Sequence, residues 1–552
     1  MSHSPIRRWD RETAWVAVLA ACASLISFLV YCHRGDILLF GDAVAHINIA
    51  RKVFDSRTPG LLQLGTVWLP LPHLLMIPFV TNDWAWRTGV GGSIPSMIAY
   101  VFAAVGIFRL VRNSLSASVR LHPWARRSAW FAAAAFGGNP NLLYLQTTAM
   151  TEPLYLALFI WAAVHFSEFA QSADGSPEAA SGSPAMSLGK CGFCLAGACL
   201  TRYDGWFVAV AAAGAAIVVS MRAYARRDEL RPMVVKFVLL AAAAPALWFV
   251  YNGIVYRNPL EFENGPYSAK AIERKSSIPG FPPHPGTDNL PVAALYFLKA
   301  GEFNVAEGPW LQRAWLLLSV WGAVVVLARE RRLWPSLLLW VPLVFYMVSV
   351  AYGGVPIFTP AWWPFSLYNV RYGVQLLPAL AVFLALAIAW LAALMFQRLE
   401  QNTIFTLAIL LLLASYGEVW AGQPVSFREA WVNSRTRLPL ERQLAEVLKR
   451  LPQRSTLLLY LGQHAGALQD AGIPLRRVIH EGNHRVWVQP SDPQGLWEGA
   501  LADPAEYADY VVAFQGDPVW QAVRDRNLPV VARVEVVGQQ SATVYLARAR
   551  QP

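Results

Sequence analysis

Nearly uncharged apolar runs alternate with short polar connections along most of the chain. Eleven such runs fall at about 14–33, 93–111, 129–145, 153–169, 188–200, 206–221, 233–251, 312–328, 334–352, 372–396 and 403–421. A helix needs about 20 apolar residues to cross a hydrocarbon core of about 30 Å. The pattern therefore predicts a polytopic α-helical membrane protein with about 11 crossings. From about residue 427 the pattern changes. TLLLYLG (456–462), YVVAF (510–514), PVVARVEVV (529–537) and ATVYLA (542–547) predict strands, while PLERQLAEVLKRL (439–451) and DPVWQAVRDR (517–526) predict helices. The chain thus divides into a transmembrane part, 1–425, and a soluble α/β domain, 426–552.

Charge orients this scheme. Basic residues cluster at Arg7, Arg8 and Arg11, at Arg109 to Arg127, in RAYARRDELR (222–231), in RERR (329–332) and at Arg398. With eleven crossings all of these fall on one side, which the bias of Lys and Arg toward the cytoplasm makes the inner one. The N-terminus is then cytoplasmic, as an uncleaved anchor rather than a removed leader. The α/β domain is extracytoplasmic, and the expected location is the inner (plasma) membrane. A composition 55% hydrophobic and 15% charged excludes an ordinary soluble domain, which averages about 25% charged. The net charge of +11 belongs to the helix flanks and gives no nucleic-acid signal.

The first outer loop, 35–92, carries the densest chemistry. In GDAVAHINIARKVF the apolar residues Ala43, Ile47, Ala50 and Phe54 recur at helical spacing. Asp42 and His46 are four apart and share one face. The expectation is an amphipathic helix lying on the bilayer with a carboxylate and an imidazole at its start. Asp42 also suits a plain N-terminal cap. A second surface helix, about 67–80, is too short and too rich in proline to cross.

Other ionisable residues at the outer ends of helices are Glu152, Arg202, Asp204 and Arg371. Each is costly at membrane depth and needs a reason. Glu152 precedes Pro153 and suits a helix start, and Arg202 and Asp204 suit a closed hairpin turn in TRYDGW (201–206). Together with Asp42 and His46 they also suit transfer onto a hydroxyl, with a carboxylate as general base and cations on a phosphate leaving group. In the long loop 252–311, Tyr267 and Lys270 are candidates to line a substrate path, beside the reading of an ordinary solvated loop.

These motifs, in this order, resemble the GT-C glycosyltransferases, which include the protein O-mannosyltransferases and the lipid A aminoarabinose transferases. Asp42 in GDAVAHINIAR and the run WLPLPHLL (68–75) match the first outer loop of that plan, and TTAMTEPLYLALF (147–159) puts Glu152 at its second acid. TRYDGW and NVRYGVQLLPAL (369–380) resemble its later landmarks. The resemblance covers roughly 10–400. It implies that Asp42 and Glu152 are catalytic and that Arg371 holds the lipid phosphate; with the residues singled out above, the expected substrate-binding set is His46, Arg202, Asp204, Tyr267, Lys270, Arg371 and Tyr372. It also implies a polyprenyl-phosphate sugar donor within the membrane lipids and a glycan, lipid or protein acceptor. Many relatives carry an acidic pair at the first site, but Ala43 follows Asp42 here. A single carboxylate is a poor divalent site, so no metal is assigned, and a divalent cation is the one cofactor left open. The WWDYG signature of oligosaccharyltransferases is absent; Trp362-Trp363 is followed by Pro-Phe.

The competing class is a multi-pass transporter or channel, which binds near the midplane and is often built from repeats; no repeat of fixed period is visible. Cys191-x-x-Cys194 lies in an apolar run with no second pair at zinc spacing, which points to packing. His480-Glu481-x-x-His484 has the metalloprotease pattern, but Gly482, Asn483 and the preceding RRVI argue against the helix it needs. The Ser/Gly/Ala/Pro stretch 171–187 is expected as a flexible cytoplasmic loop. The scheme is checked by labelling. In a chain freed of its five cysteines, Asp42→Cys is expected to react with a membrane-impermeant maleimide added from outside. Labelling only from the cytosol would invert the topology.

Overall fold

A computed structural model describes residues 10–173, 183–223, 226–276, 282–462, 464–483 and 495–548. All eleven apolar runs fold as helices. Among the described residues, nine helical segments are long and apolar enough to cross a membrane: Arg11–Arg34, Val90–Ser116, Glu152–Ala173, Asp204–Arg222, Arg227–Val255, Pro309–Ala328, Arg331–Tyr352, Val370–Leu394 and Arg398–Ser434. The third and fifth runs form shorter helices, Ala125–Gly137 continued by Pro140–Leu145, and Pro184–Cys199. Residues 174–182 of the expected 171–187 loop lie outside the described residues.

The Val370–Leu394 segment forms the centre, with Val370, Val374, Leu377, Phe383 and Leu384 fully buried. The Arg11–Arg34 helix is on the rim, where Trp15, Leu19, Ile26 and Leu29 are exposed as expected of a face toward lipid. Two glycines permit close backbone approaches near the outer ends. A Cβ at Gly205 would lie 2.6 Å from the Ala198 carbonyl carbon, inside the hairpin turn. A Cβ at Gly373 would collide with the backbone of Ala300 and Gly301.

That second contact departs from the sequence expectation. The loop 252–311 is not simply polar: it contains a 16-residue helix, Leu290–Val305, that buries Ala293, Phe297, Ala300 and Asn304 beside the start of the central segment. The sequence LPVAALYFLKAGEFNV is apolar but too short to span, so crossing length alone overlooks it.

The first outer loop forms the helices Gly41–Lys52, Leu71–Val80 and Asp83–Thr88. The first of these does not lie open on a bilayer. Ala43, Val44, His46, Ile47, Asn48, Ala50 and Arg51 are all buried, because the C-terminal domain covers the side that the bundle leaves free. Asn48 Nδ2 donates to Gln469 Oε1 at 2.7 Å, Gln63 Nε2 donates to the Gly482 carbonyl at 2.9 Å, and Asn483 Nδ2 donates to Thr58 Oγ1 at 2.9 Å.

The C-terminal domain is built on one five-stranded sheet. Its strands are β1 (Leu457–Leu459), β2 (Val478–Ile479), β3 (Tyr510–Phe514), β4 (Val530–Val534) and β5 (Ala542–Leu546), in the order β2-β1-β3-β5-β4. β2, β1 and β3 are parallel, while β3, β5 and β4 are antiparallel. The short β2 leads into a turn at His480–Gly482, so the His480-Glu481 pair is not helical; His484 lies outside the described residues. Glu481 instead accepts from the backbone N–H groups of Leu461 and Gly462 at 2.9 and 3.0 Å.

Arg51 ties the outer loop together. It donates to Asp55 at 2.8 Å, to the Val80 and Thr81 carbonyls at 2.7 and 3.1 Å, and to Asp83 at 2.6 Å. Asp55 in turn accepts from the backbone of Leu475 and Arg476. Removing one member of such a buried pair strands the other charge, at about 3–5 kcal/mol. Arg51→Ala is expected to lower stability by about that amount, read as the thermal midpoint in detergent. An unchanged midpoint would show that the loop is held elsewhere.

Candidate active site

Asp42 lies in the first turn of the Gly41–Lys52 helix, where an acid is favoured by the helix dipole. Its side chain is 42% exposed. Arg371 comes from 329 positions further along the chain, at the 3-10 start of the central segment, Val370–Leu376. Its Nη2 donates to Asp42 Oδ2 at 2.6 Å and its Nε lies 3.5 Å from Glu152 Oε1. The other side of the guanidinium meets Glu429: Nη1 donates to Glu429 Oε1, and the Arg371 backbone N–H donates to Oε2 at 2.9 Å.

Glu152 begins the Glu152–Ala173 helix and is fully buried. Beside it, Arg202 occupies the turn between Pro184–Cys199 and Asp204–Arg222. Arg202 Nη1 donates to Thr151 Oγ1 at 3.0 Å and to Glu152 Oε1 at 3.4 Å. Its Nη2 donates to the Tyr346 hydroxyl at 2.8 Å, and its Nε to Asp204 Oδ2 at 3.4 Å. Tyr372 joins the two cations, with the guanidinium carbons of Arg202 and Arg371 4.9 and 4.8 Å from its ring centroid, a cation–π arrangement. Two guanidiniums thus face four carboxylates. Glu152 Oε2, Asp204 Oδ1 and Arg371 Nε are buried without a hydrogen bond, which is unusual for polar atoms in a protein interior.

His46 lies behind Asp42, buried against Trp68 with ring centroids 4.7 Å apart. His46 Nδ1 is 2.9 Å from His73 Nε2. Burial, with the nearby charges of Arg202 and Arg371, pushes His46 down to about 3. Burial first, then His46 and Lys52, holds His73 well below the usual histidine range. Both rings are therefore neutral at physiological pH, one donating to the other.

The structure gathers Asp42, His46, Glu152, Arg202, Asp204, Arg371 and Tyr372. It does not gather Tyr267 and Lys270. The Tyr267 hydroxyl is 3.1 Å from that of Tyr460 in the C-terminal domain, and Lys270 pairs with Glu263 at 2.6 Å. Sequence reasoning missed Glu429, Tyr346, Thr151 and His73. Tyr346 and His73 lie in apolar helices and carry no local signal. Glu429 was legible as an acid seven residues after the break at Gly422, but nothing in the sequence tied it to Arg371. Among the described residues, no three His, Cys, Asp or Glu side chains come together in a metal-binding group, and the five cysteines are unbonded.

The histidines give a pH signature. A group whose folded value is depressed stabilises the fold above its unfolded value, about 6.5 for histidine, and that stability is lost as pH falls. Acidification from pH 7 to pH 5 is expected to cost up to about 2 kcal/mol per histidine, read as a falling thermal midpoint. Replacing the pair in His46→Gln/His73→Leu should flatten that dependence; an equally steep slope would assign the acid sensitivity to other groups.

No family model matches the chain, and no curated protein does. Solved structures do. ArnT from Cupriavidus metallidurans bound to undecaprenyl phosphate is 15% identical, with a TM-score of 0.55 over 98% of this chain and 99% of that one. The same protein in the apo state is 14% identical, with a TM-score of 0.56 over 98% and 100%. An oligosaccharyltransferase from Archaeoglobus fulgidus, tethered to an acceptor peptide, is a looser likeness: 12% identity and a TM-score of 0.48 over 91% of this chain and 69% of that one. Through its near-complete superposition on ArnT, this multi-pass chain is shown to have the GT-C fold.

Proposed function

We propose that the protein transfers a single sugar from a polyprenyl-phosphate donor to an acceptor hydroxyl at the outer face of the plasma membrane, with inversion. The observation that carries this reading is the half-exposed Asp42 carboxylate, held 2.6 Å from Arg371, which shares the Tyr372 ring with Arg202. The two cations are ordered on one tyrosine ring at the outer ends of the spans. That ArnT, of the same fold, is seen with undecaprenyl phosphate supports a lipid phosphate as the ligand.

The acceptor oxygen attacks the anomeric carbon from the face opposite the phosphate, and its proton passes to Asp42. The bond between that carbon and the phosphate oxygen breaks, and the electron pair leaves with polyprenyl phosphate. Arg202 and Arg371 stabilise the charge that develops there. The donor phosphate competes with Asp42 for Arg371, and that competition frees the carboxylate to act as base. Glu152, between the guanidiniums, fixes their spacing rather than touching the acceptor. A transporter would place its charges near the midplane; here they gather at helix ends beneath an α/β domain, which favours the transferase. The acceptor class is a glycan, lipid or protein hydroxyl.

Asp42→Asn is expected to lower turnover about 10²–10⁴-fold, with a polyprenyl-phosphate sugar pool from the host membrane as donor. Wild-type turnover in that variant would remove Asp42 as base. Arg371→Ala is expected to weaken binding of undecaprenyl phosphate about tenfold or more, the scale of a charged hydrogen bond. Unchanged affinity in a lipid titration would take the phosphate away from Arg371.

A further inference from the structure

Glu429 belongs to the helix Val425–Ser434, which follows the break at Gln423 and leads from the last span into the C-terminal domain. It is fully buried. Its two carboxylate oxygens accept three N–H groups: the Asn369 backbone at 3.1 Å, the Arg371 backbone at 2.9 Å, and Arg371 Nη1. Asn369 is in the left-handed region at φ 57°, which asparagine adopts more readily than most non-glycine residues. The bond from its N–H to Glu429 and that from its Nδ2 to the Pro356 carbonyl at 2.9 Å hold it in place.

The same connector also grips the partner of Arg371. Arg437, eight residues on, donates to the Leu38 and Leu39 carbonyls at 2.9 and 3.0 Å, just before Asp42, and pairs with Glu441 at 2.6 Å. The connector is itself fixed to the bundle. Ser426 N–H donates to Asn141 Oδ1 at 2.9 Å, Asn141 Nδ2 donates to the Asn304 carbonyl at 3.1 Å, and Asn304 Nδ2 donates to the Val370 carbonyl at 2.9 Å.

We infer that Glu429 is a positioning residue for the transfer reaction: it locks the Arg371 guanidinium so that one edge faces Asp42 and sets where the donor phosphate lies relative to the base. This rests on the transferase reading above. Glu429 does not itself meet substrate. It also subtracts a positive charge from the phosphate site, so its contribution to catalysis and to phosphate affinity have opposite signs. A residue that merely filled the interior would move both in the same direction.

The test is Glu429→Gln, of equal size but neutral, in the full-length protein in detergent or nanodiscs. Undecaprenyl phosphate binding is expected to be as tight as in the wild type or tighter. Turnover is expected to fall about tenfold or more, the scale of a misplaced catalytic group, without a rise in donor KM. Glu429→Asp, which keeps the charge, should recover part of that turnover. Unchanged turnover in Glu429→Gln, or binding and turnover lost in equal proportion, would overturn the assignment. If the Gln protein is not recovered folded, Glu429→Asp decides: reduced kcat at unchanged donor KM supports the role, and wild-type kcat overturns it. A wild-type protein that fails to bind undecaprenyl phosphate would instead sink the transferase reading, so the two failures are distinct.

Discussion

A guanidinium buried among carboxylates is the constraint around which one end of the helical bundle is arranged. Taking a charge out of water costs several kcal/mol unless it is paired with good geometry. Arg371 meets that requirement with acids from three remote parts of the chain: Asp42 from the first loop, Glu152 from the start of the fourth apolar run, and Glu429 from the connector. Arg202 repeats the solution with Glu152 and Asp204. Arg371 is satisfied only when the loop, the helix ends and the connector have all reached one place, and Arg202 only when the ends of the helices that carry Glu152, Asp204 and Tyr346 have met. The same pairing that stabilises the assembly leaves one carboxylate, Asp42, half open to solvent.

Much of this was legible in the sequence because membrane constraints are strict. The apolar runs located the helices, and the rarity of charge at membrane depth singled out Glu152, Arg202, Asp204 and Arg371. Those four residues meet in space. What stayed hidden has a physical cause in each case. The Leu290–Val305 helix is apolar but shorter than a span, so a length filter passes over it. Glu429 stands in a polar segment where an acid is unremarkable, and its importance comes entirely from tertiary contact. Tyr267 and Lys270 carry suitable chemistry, yet loop positions do not reveal their partners, and these side chains join Tyr460 and Glu263 instead.

The soluble domain is more than an appended module. It covers the Gly41–Lys52 helix through Gln469, which accepts from Asn48, and holds the segment that follows through Asn483, which donates to Ser56 and Thr58; the helix after β1 and the turn after β2 are thus set against this loop. The helix that carries Asp42 is consequently an internal layer between two folded parts. Its orientation is set by packing on both sides rather than by the depth at which it floats in lipid.

The sequence distance between partners bears on how such a protein is made. Asp42 pairs with a residue 329 positions later, Asn48 with one 421 later, and Asn483 with one 427 earlier. A nascent chain inserted span by span exposes its first outer loop long before any of these partners exists. The loop must wait, incomplete, until the last helix and the terminal domain have been delivered. A chain truncated before the connector carries Asp42 without the Glu429 that holds its partner Arg371 and without the domain that packs over its helix.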